Sequence, residues 1–152
     1  MEISRLPDSL RVVSAIALPD GYKRVDLPKG SFGEWLRSIA LKKDNHVYLY
    51  NGALKRNQAA QFAVLDIPVG NKDLQQCADA VMRLRAEYLF SKKKYSEIEF
   101  WDNAGKPYRW TGGGAKEDFE KYMEKVFAMC GTASLEKPVR PKSLVPVATS
   151  IT

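Results

Sequence analysis

The sequence predicts an α+β domain: a small, mainly antiparallel sheet packed by about three helices. Three observations carry that reading. Asp73–Leu89 is a long run of helix formers with apolar residues at helical spacing. Glu97–Trp101 and Pro107–Trp110, rich in aromatic residues, flank the turn sequence Asp102-Asn103-Ala104-Gly105-Lys106 and read as a hairpin. Lys116–Cys130 carries Phe119, Tyr122, Met123, Val126, Phe127 and Cys130 as one apolar stripe.

Taken in order, Met1–Leu27 holds short apolar runs broken by Pro7, Pro19-Asp20-Gly21 and Pro28. Proline presets φ and glycine accepts positive φ, so Pro19-Asp20-Gly21 is a turn. Val12–Leu18, just before it, reads as a strand. Ser31-Phe32-Gly33-Glu34 has capping-box spacing and opens a helix with Phe32, Trp35, Leu36 and Ile39 inward. Val47–Tyr50 followed by Asn51-Gly52 gives a strand and a hairpin turn, with a short return from Ala53. Phe62–Val69 reads as a further strand, and Asn71 or Asp73 as the cap of the central helix.

On that central helix, Leu74, Cys77, Ala78, Val81, Leu84, Tyr88 and Leu89 are expected inward. Gln76, Asp79, Ala80, Arg83 and Glu87 are expected outward, with Asp79–Arg83 and Arg83–Glu87 as i,i+4 charge pairs on a wet face. Lys92-Lys93-Lys94 follows near the negative end of the helix, where cations are favourable. Gly131 is the expected stop of the last helix. Residues 1–136 are thus expected to form one domain. Residues 137–152, with Pro138, Pro141 and Pro146, read as a tail or as the start of a further half.

A chain of 152 residues can bury a core of its own. Its net charge of +6 favours anionic surfaces weakly. The basic residues are dispersed, as in Lys42-Lys43, Lys55-Arg56 and Lys92-Lys93-Lys94, and no nucleic-acid motif accompanies them, so nucleic acid is not an expected partner. Two cysteines and one histidine give no metal-type spacing and no disulfide framework. No metal and no cofactor is expected. No stretch is long and apolar enough to span a bilayer. Met1–Arg11, with Glu2, Arg5, Asp8 and Arg11, shows no signal-peptide pattern.

Five residues are candidates for a site. Cys77 is the candidate nucleophile, set against a core-thiol reading because it is expected more than a turn inside its helix and inward. Arg85 breaks the expected apolar face, and a guanidinium there needs a partner. It either reaches water past Leu89, pairs with Asp66 or Glu99, or holds a ligand carboxylate or phosphate. Gln76, on the opposite face, is a candidate ligand-binding residue. Trp101 and Trp110, with Tyr108, form either a stacking surface or one side of the core. His46, at the start of a strand, reads as a surface or turn residue. Cys130 reads as a core thiol. Gly112-Gly113-Gly114 lacks the Lys-Ser/Thr ending of a phosphate loop and is read as a connector.

The run Asp73-Leu74-Gln75-Gln76-Cys77-Ala78-Asp79-Ala80-Val81-Met82-Arg83-Leu84-Arg85-Ala86-Glu87-Tyr88-Leu89 resembles the signature of a mainly Bacteroidetes family, domain of unknown function 4846. Gly30-Ser31-Phe32, Trp35-Leu36-Arg37, Tyr50-Asn51-Gly52, Val69-Gly70 and Ile98-Glu99-Phe100 fit it too, as do Gly105, Trp110, Phe119 with Tyr122, Val126-Phe127, Gly131-Thr132 and Ser134-Leu135. The resemblance covers roughly residues 20–137. It implies no established activity. It implies envelope or secreted proteins, with longer members continuing into a Gly-His-containing strand region. By analogy, a cysteine on a helix with a later histidine resembles papain-like thiol hydrolases, but no histidine follows Cys77 in this chain. Two expectations follow. One is a non-catalytic binding or structural module of an envelope-associated protein, with an envelope polymer, a protein or a second copy as partner. The other is the N-terminal part of a thiol hydrolase, with Cys77 as nucleophile.

Overall fold

The computed structural model describes residues 3–135, so the expected tail at 137–152 lies outside the described residues. Its elements in chain order are α1 (Phe32–Arg37), α2 (Cys77–Ser91), β1 (Glu99–Trp101), β2 (Pro107–Arg109) and α3 (Lys116–Met129), with short 3₁₀ turns around them. Three helices and a two-stranded antiparallel sheet make this a small α+β fold, as the sequence predicts.

The sheet is smaller than expected. β1 and β2 pair Glu99 with Arg109, Phe100 with Tyr108 and Trp101 with Pro107. The turn between them closes where Gly105 adopts φ 81°, a conformation side chains disfavour, with Asp102 Oδ1 accepting from the Ala104 and Lys106 amides at 2.9 Å. Val12–Leu18 is not a strand: Val13–Ala15 winds into a 3₁₀ turn and only Val12 bridges, to Ala40. Phe62–Val69 likewise keeps only the Leu65 bridge to Leu41. Residues 39–42 still bond on both sides, through Val13 N to Ile39 O, Leu41 N to Arg11 O, Lys42 N to Val64 O and Asp66 N to Ala40 O. The ladder stops early because Pro68 has no N–H to continue it and the chain before Pro19 turns away.

Arginine side chains take over where sheet bonds are missing. Arg24 Nη2 donates to Ile16 O at 2.6 Å, and Arg37 Nη1 to Val25 O at 2.9 Å. Arg11, 7% exposed, donates through Nη2 to Leu6 O and to Asp8 Oδ1. α1 starts as its sequence requires: Ser31 Oγ accepts from Glu34 N at 3.2 Å. Glu34 reaches back one residue further than expected, to Gly30 N.

The core lies in the second half of the chain. Met82, Ala86 and Leu89 of α2 pack with Ile98, Phe100 and Tyr108 of the hairpin region and with Phe119, Met123, Val126 and Phe127 of α3. α3 is the stripe read from its sequence. An aromatic chain runs through this core, Phe90 lying 4.3 Å from Phe119 and Trp110 crossing Phe119 edge-on at 5.8 Å between centroids. Gly112 is a packing position rather than a plain connector: a β-carbon there would lie 2.5 Å from the Trp110 indole.

Because Ala86 has no exposed surface and Ala80 lies on the outer face, Ala86→Asp should cost about 3–5 kcal/mol by burying an unpaired carboxylate, whereas Ala80→Asp should stay within about 0.5 kcal/mol. Thermal or urea unfolding of the two variants reads the difference, and equal stabilities would place the inner face of α2 elsewhere.

Candidate functional site

α2 begins later than the sequence suggests. Its N-cap is Gln76, whose amide donates to Asp79 Oδ2 at 2.9 Å. Residues 71–74 form a bend and a turn instead, and Gln75 Nε2 donates to Val69 O at 2.9 Å, so neither Asn71 nor Asp73 caps the helix. Cys77 is therefore the first helical residue and is exposed, which overturns the expectation of an inward thiol more than a turn inside.

The inward face is also rotated. Asp79, Met82, Arg83, Ala86 and Leu89 are buried, while Val81 is 43% exposed. The cause is that α2 is covered on two sides. Its Met82–Ala86–Leu89 side meets the core. Its Tyr88 side meets α1, with ring centroids 5.2 Å from Phe32 and 5.9 Å from Trp35, and the Tyr88 hydroxyl donates to Gly30 O at 2.9 Å. Apolar residues on two sides of one helix leave a single-face reading ambiguous.

The arginine that the fold buries is Arg83, not Arg85. Arg83 Nε donates to Glu87 Oε1 at 2.8 Å, and Nη1 donates to Pro68 O at 3.2 Å. The two side chains are 9% and 17% exposed. Lys116 at the start of α3 reaches Glu87 Oε2 from the other side, with its ammonium 4.9 Å from the centre of the Phe119 ring. The expected i,i+4 pair Arg83–Glu87 exists, but it lies inside the protein. Arg85 is half-buried and forms no ion pair among the described residues. Its suggested partner Glu99 instead pairs with Arg109.

This triad floors a cleft of about 320 Å³ between α1, α2, the Asp66-Ile67-Pro68 segment and α3. Trp35, Ile39 and Ile67 give it apolar walls; Ser38, Asp66 and Glu120 give it polar edges. Asp66 and Glu120 are exposed, and neither carboxylate has an ion pair among the described residues. With two cations against three carboxylates on its lining, and Asp66 and Glu120 free to accept hydrogen bonds, the cleft presents acceptors and a small negative excess. A smaller hollow of about 110 Å³ lies across Pro68, sharing Arg83 and Glu120 and bordered by Lys72, whose ammonium bonds Glu124 at 2.6 Å. Nothing in the sequence pattern marks Trp35, Asp66 and Glu87 as site residues. The signal available was the Arg83–Glu87 spacing, read there as a solvated pair.

Of the residues expected to form a site, Gln76 and Cys77 adjoin at the start of α2, Arg85 lies further along that helix, and Trp101 and Trp110 belong to the hairpin region. Gln76 caps α2 beside Cys77. Trp110 is in the core, its buried Nε1 without a hydrogen-bond partner among the described residues. Trp101 is half-buried on β1, its amide donating to the buried Ser134 Oγ at 3.0 Å. His46 bonds through Nδ1 to Asp44, and that hydrogen bond holds the Asp44 carboxyl below its ordinary range. Cys130 is buried as expected, and burial, aided by the Asp102 and Asp79 charges, pushes its thiol up to about 11. No group of three or more His, Cys, Asp or Glu side chains among the described residues is arranged to hold a metal ion. No helix among them is long and apolar enough to cross a membrane.

Comparison with protein families matches residues 12–115 to the family described as domain of unknown function (4846). The match contains α1, α2 and the β1–β2 hairpin and ends just before α3, short of the extent that the sequence resemblance suggests. No curated protein and no solved structure matches the chain.

Two expectations follow from this geometry. Arg83→Met should cost about 2 kcal/mol, because it leaves the largely covered Glu87 with Lys116 alone and strips the Pro68 carbonyl of its donor, while Arg85→Met should change stability by less than about 0.5 kcal/mol. Denaturant titration of both variants reads the contrast, and the reverse order would refute the assignment. Native thiol alkylation near neutral pH should modify Cys77 readily and Cys130 only after unfolding; peptide mapping by mass spectrometry distinguishes the two, and labelling of Cys130 in the native fold would contradict its burial.

Proposed function

We propose, starting from a chain that belongs to the domain of unknown function 4846 family, that it is a non-catalytic binding module whose α1–α2–α3 cleft takes a hydroxyl-rich, saccharide-like unit of an envelope polymer. One observation carries this reading: the Trp35 indole and the unpaired Asp66 and Glu120 carboxylates share a hollow of about 320 Å³ above a fixed ionic floor. Such a ligand has an apolar face that can lie on an indole and hydroxyls that can donate to carboxylates. The volume suits one small ring system, within the range of roughly 300–1,000 Å³ typical of ligand pockets. The Arg83–Glu87–Lys116 bonds keep the floor from rearranging, which lowers the ordering cost of binding.

Calorimetric titration with neutral oligosaccharides should show saturable binding. Asp66→Asn combined with Glu120→Gln should weaken it at least about ten-fold, roughly 1.4 kcal/mol, with an unchanged melting temperature because both side chains are exposed. Absence of saturable binding at millimolar ligand, or binding indifferent to both substitutions, would remove this reading.

A second reading is favoured by the position of Cys77, exposed at the first residue of a fifteen-residue helix. Helix N-termini are settings in which thiols become nucleophiles. Here the chain supplies the nucleophile of a papain-like thiol hydrolase and the base comes from outside residues 3–135, His46 being engaged with Asp44. Alkylation kinetics separate the two readings. A binding module leaves Cys77 as reactive as an ordinary exposed thiol; an assembled nucleophile reacts faster than free cysteine at neutral pH.

A further inference from the structure

We propose that the hairpin spanning residues 47–55 is a docking element for an anionic lipid surface. Its backbone is held by an isolated bridge and a few hydrogen bonds. Leu49 N donates to Ala53 O at 2.7 Å, Lys55 N donates to Val47 O at 2.9 Å, and Gly52 closes the apex at φ 81°. The Gln58 side chain clips its base like a missing strand, accepting from Val47 N at 3.0 Å and donating to Val47 O at 2.9 Å. Asn45 and Gln61 bond each other's carbonyls, tying the following chain to the same base.

What this framework holds is apolar side chains in water. Tyr48 and Leu54 face each other across the bridge at 50% and 53% exposure, Leu49 and Tyr50 at the apex are 44% and 46% exposed, and Phe62, next to Gln61, is 71% exposed. None of them joins the core cluster. An ordered apolar tip of this kind marks an interaction surface.

Charge decides the occupant. Lys42, Lys43, Lys55 and Arg56 are exposed around the hairpin, against the single carboxylate of Asp44 between Lys42 and Phe62. A second copy would set four cations against four. A nucleic acid would use the aromatic rings but gain little from Leu49 and Leu54, which offer no stacking face. An anionic bilayer uses every part: tyrosines at headgroup level, aliphatic side chains below them, and cations on lipid phosphates. This surface is separate from the cleft, so the inference does not depend on the proposed ligand.

Flotation of the full chain with phosphatidylcholine vesicles, with and without about one third phosphatidylglycerol, tests it. Binding is expected to the anionic vesicles only and to fall with added salt. Leu49→Ser with Tyr50→Ser, and separately Lys55→Glu with Arg56→Glu, should each weaken binding at least about ten-fold, circular dichroism confirming an unchanged fold. Leu49→Trp should add a fluorescence signal that shifts to the blue on anionic vesicles. Absence of binding, or binding that survives the apolar pair of substitutions, overturns the proposal, the latter leaving only diffuse attraction by the net positive charge. So does capture of a single-stranded oligonucleotide through these residues while vesicles stay unbound.

Discussion

The structure depends on one buried cation. Arg83 faces inward from the middle of α2 and cannot be neutralised, so its surroundings must satisfy it. Glu87, one turn along, takes Nε; the Pro68 carbonyl takes Nη1. Each partner constrains something further. Pro68 draws the Asp66–Pro68 segment onto α2 and so fixes the floor shared by the two hollows. Glu87 has a second oxygen to satisfy and receives Lys116, which ties the first residue of α3 to α2 before the apolar stripe of α3 makes contact. Three separate pieces of chain are thereby placed by the valences of two side chains.

The chain divides by the way it is held. From residue 77 on, apolar side chains of α2, the hairpin and α3 share one cluster, and hydrophobic burial dominates. Before it, only Leu41 and Arg11 among the described residues are buried, and order comes from single bridges, arginine-to-carbonyl bonds and glutamine clips. Such bonds add only about 0.5–1.5 kcal/mol each, because water competes for the same groups. The first half should therefore open locally at lower free energy than the second, the pattern expected of a lower-stability unit resting on a core. Trp35 and Phe32 are the exception, anchored by Tyr88 of α2.

What the sequence made legible follows from the same division. α3 has one covered side, so its period alone identifies Phe119, Met123, Val126 and Phe127 as core. The β1–β2 hairpin and the Ser31 cap are local chemistry and appear where their residues place them. α2 is harder to read because it is covered by α1 on one side and the core on the other, so a single-face fit favours Val81 over Met82. The same fit puts Arg85 on the inner face. Opposite charges at i,i+4 ordinarily mark a solvated face, and spacing cannot reveal that Pro68, fifteen residues away, completes the shell that lets Arg83 be buried. The position of Cys77 turns on a cap: Asp79 serves Gln76 rather than Arg83, moving the helix start past the expected Asp73. The cleft was not legible at all, because its walls come from four distant segments.

The distribution of unpaired charge bears on where function resides. Inside the fold, each charged group has a partner: Glu87 carries two cations and Arg83 two acceptors. At the cleft edge this is not so, since Asp66 and Glu120 border the hollow without an ion pair among the described residues. Two acidic side chains near a concavity repel each other slightly and contribute nothing to the fold that a neutral residue would not. Exposed apolar side chains on the clipped hairpin are in the same position, held in water by bonds that would hold polar ones equally well. Stability explains the triad and the aromatic core; it explains neither the acidic rim nor the apolar hairpin. These two surfaces, one concave and negative, the other convex, apolar and basic, suit different kinds of partner. The fixed floor beneath the first lets it meet its partner with little ordering left to do, whereas the few hydrogen bonds beneath the second leave part of the ordering to be supplied on binding.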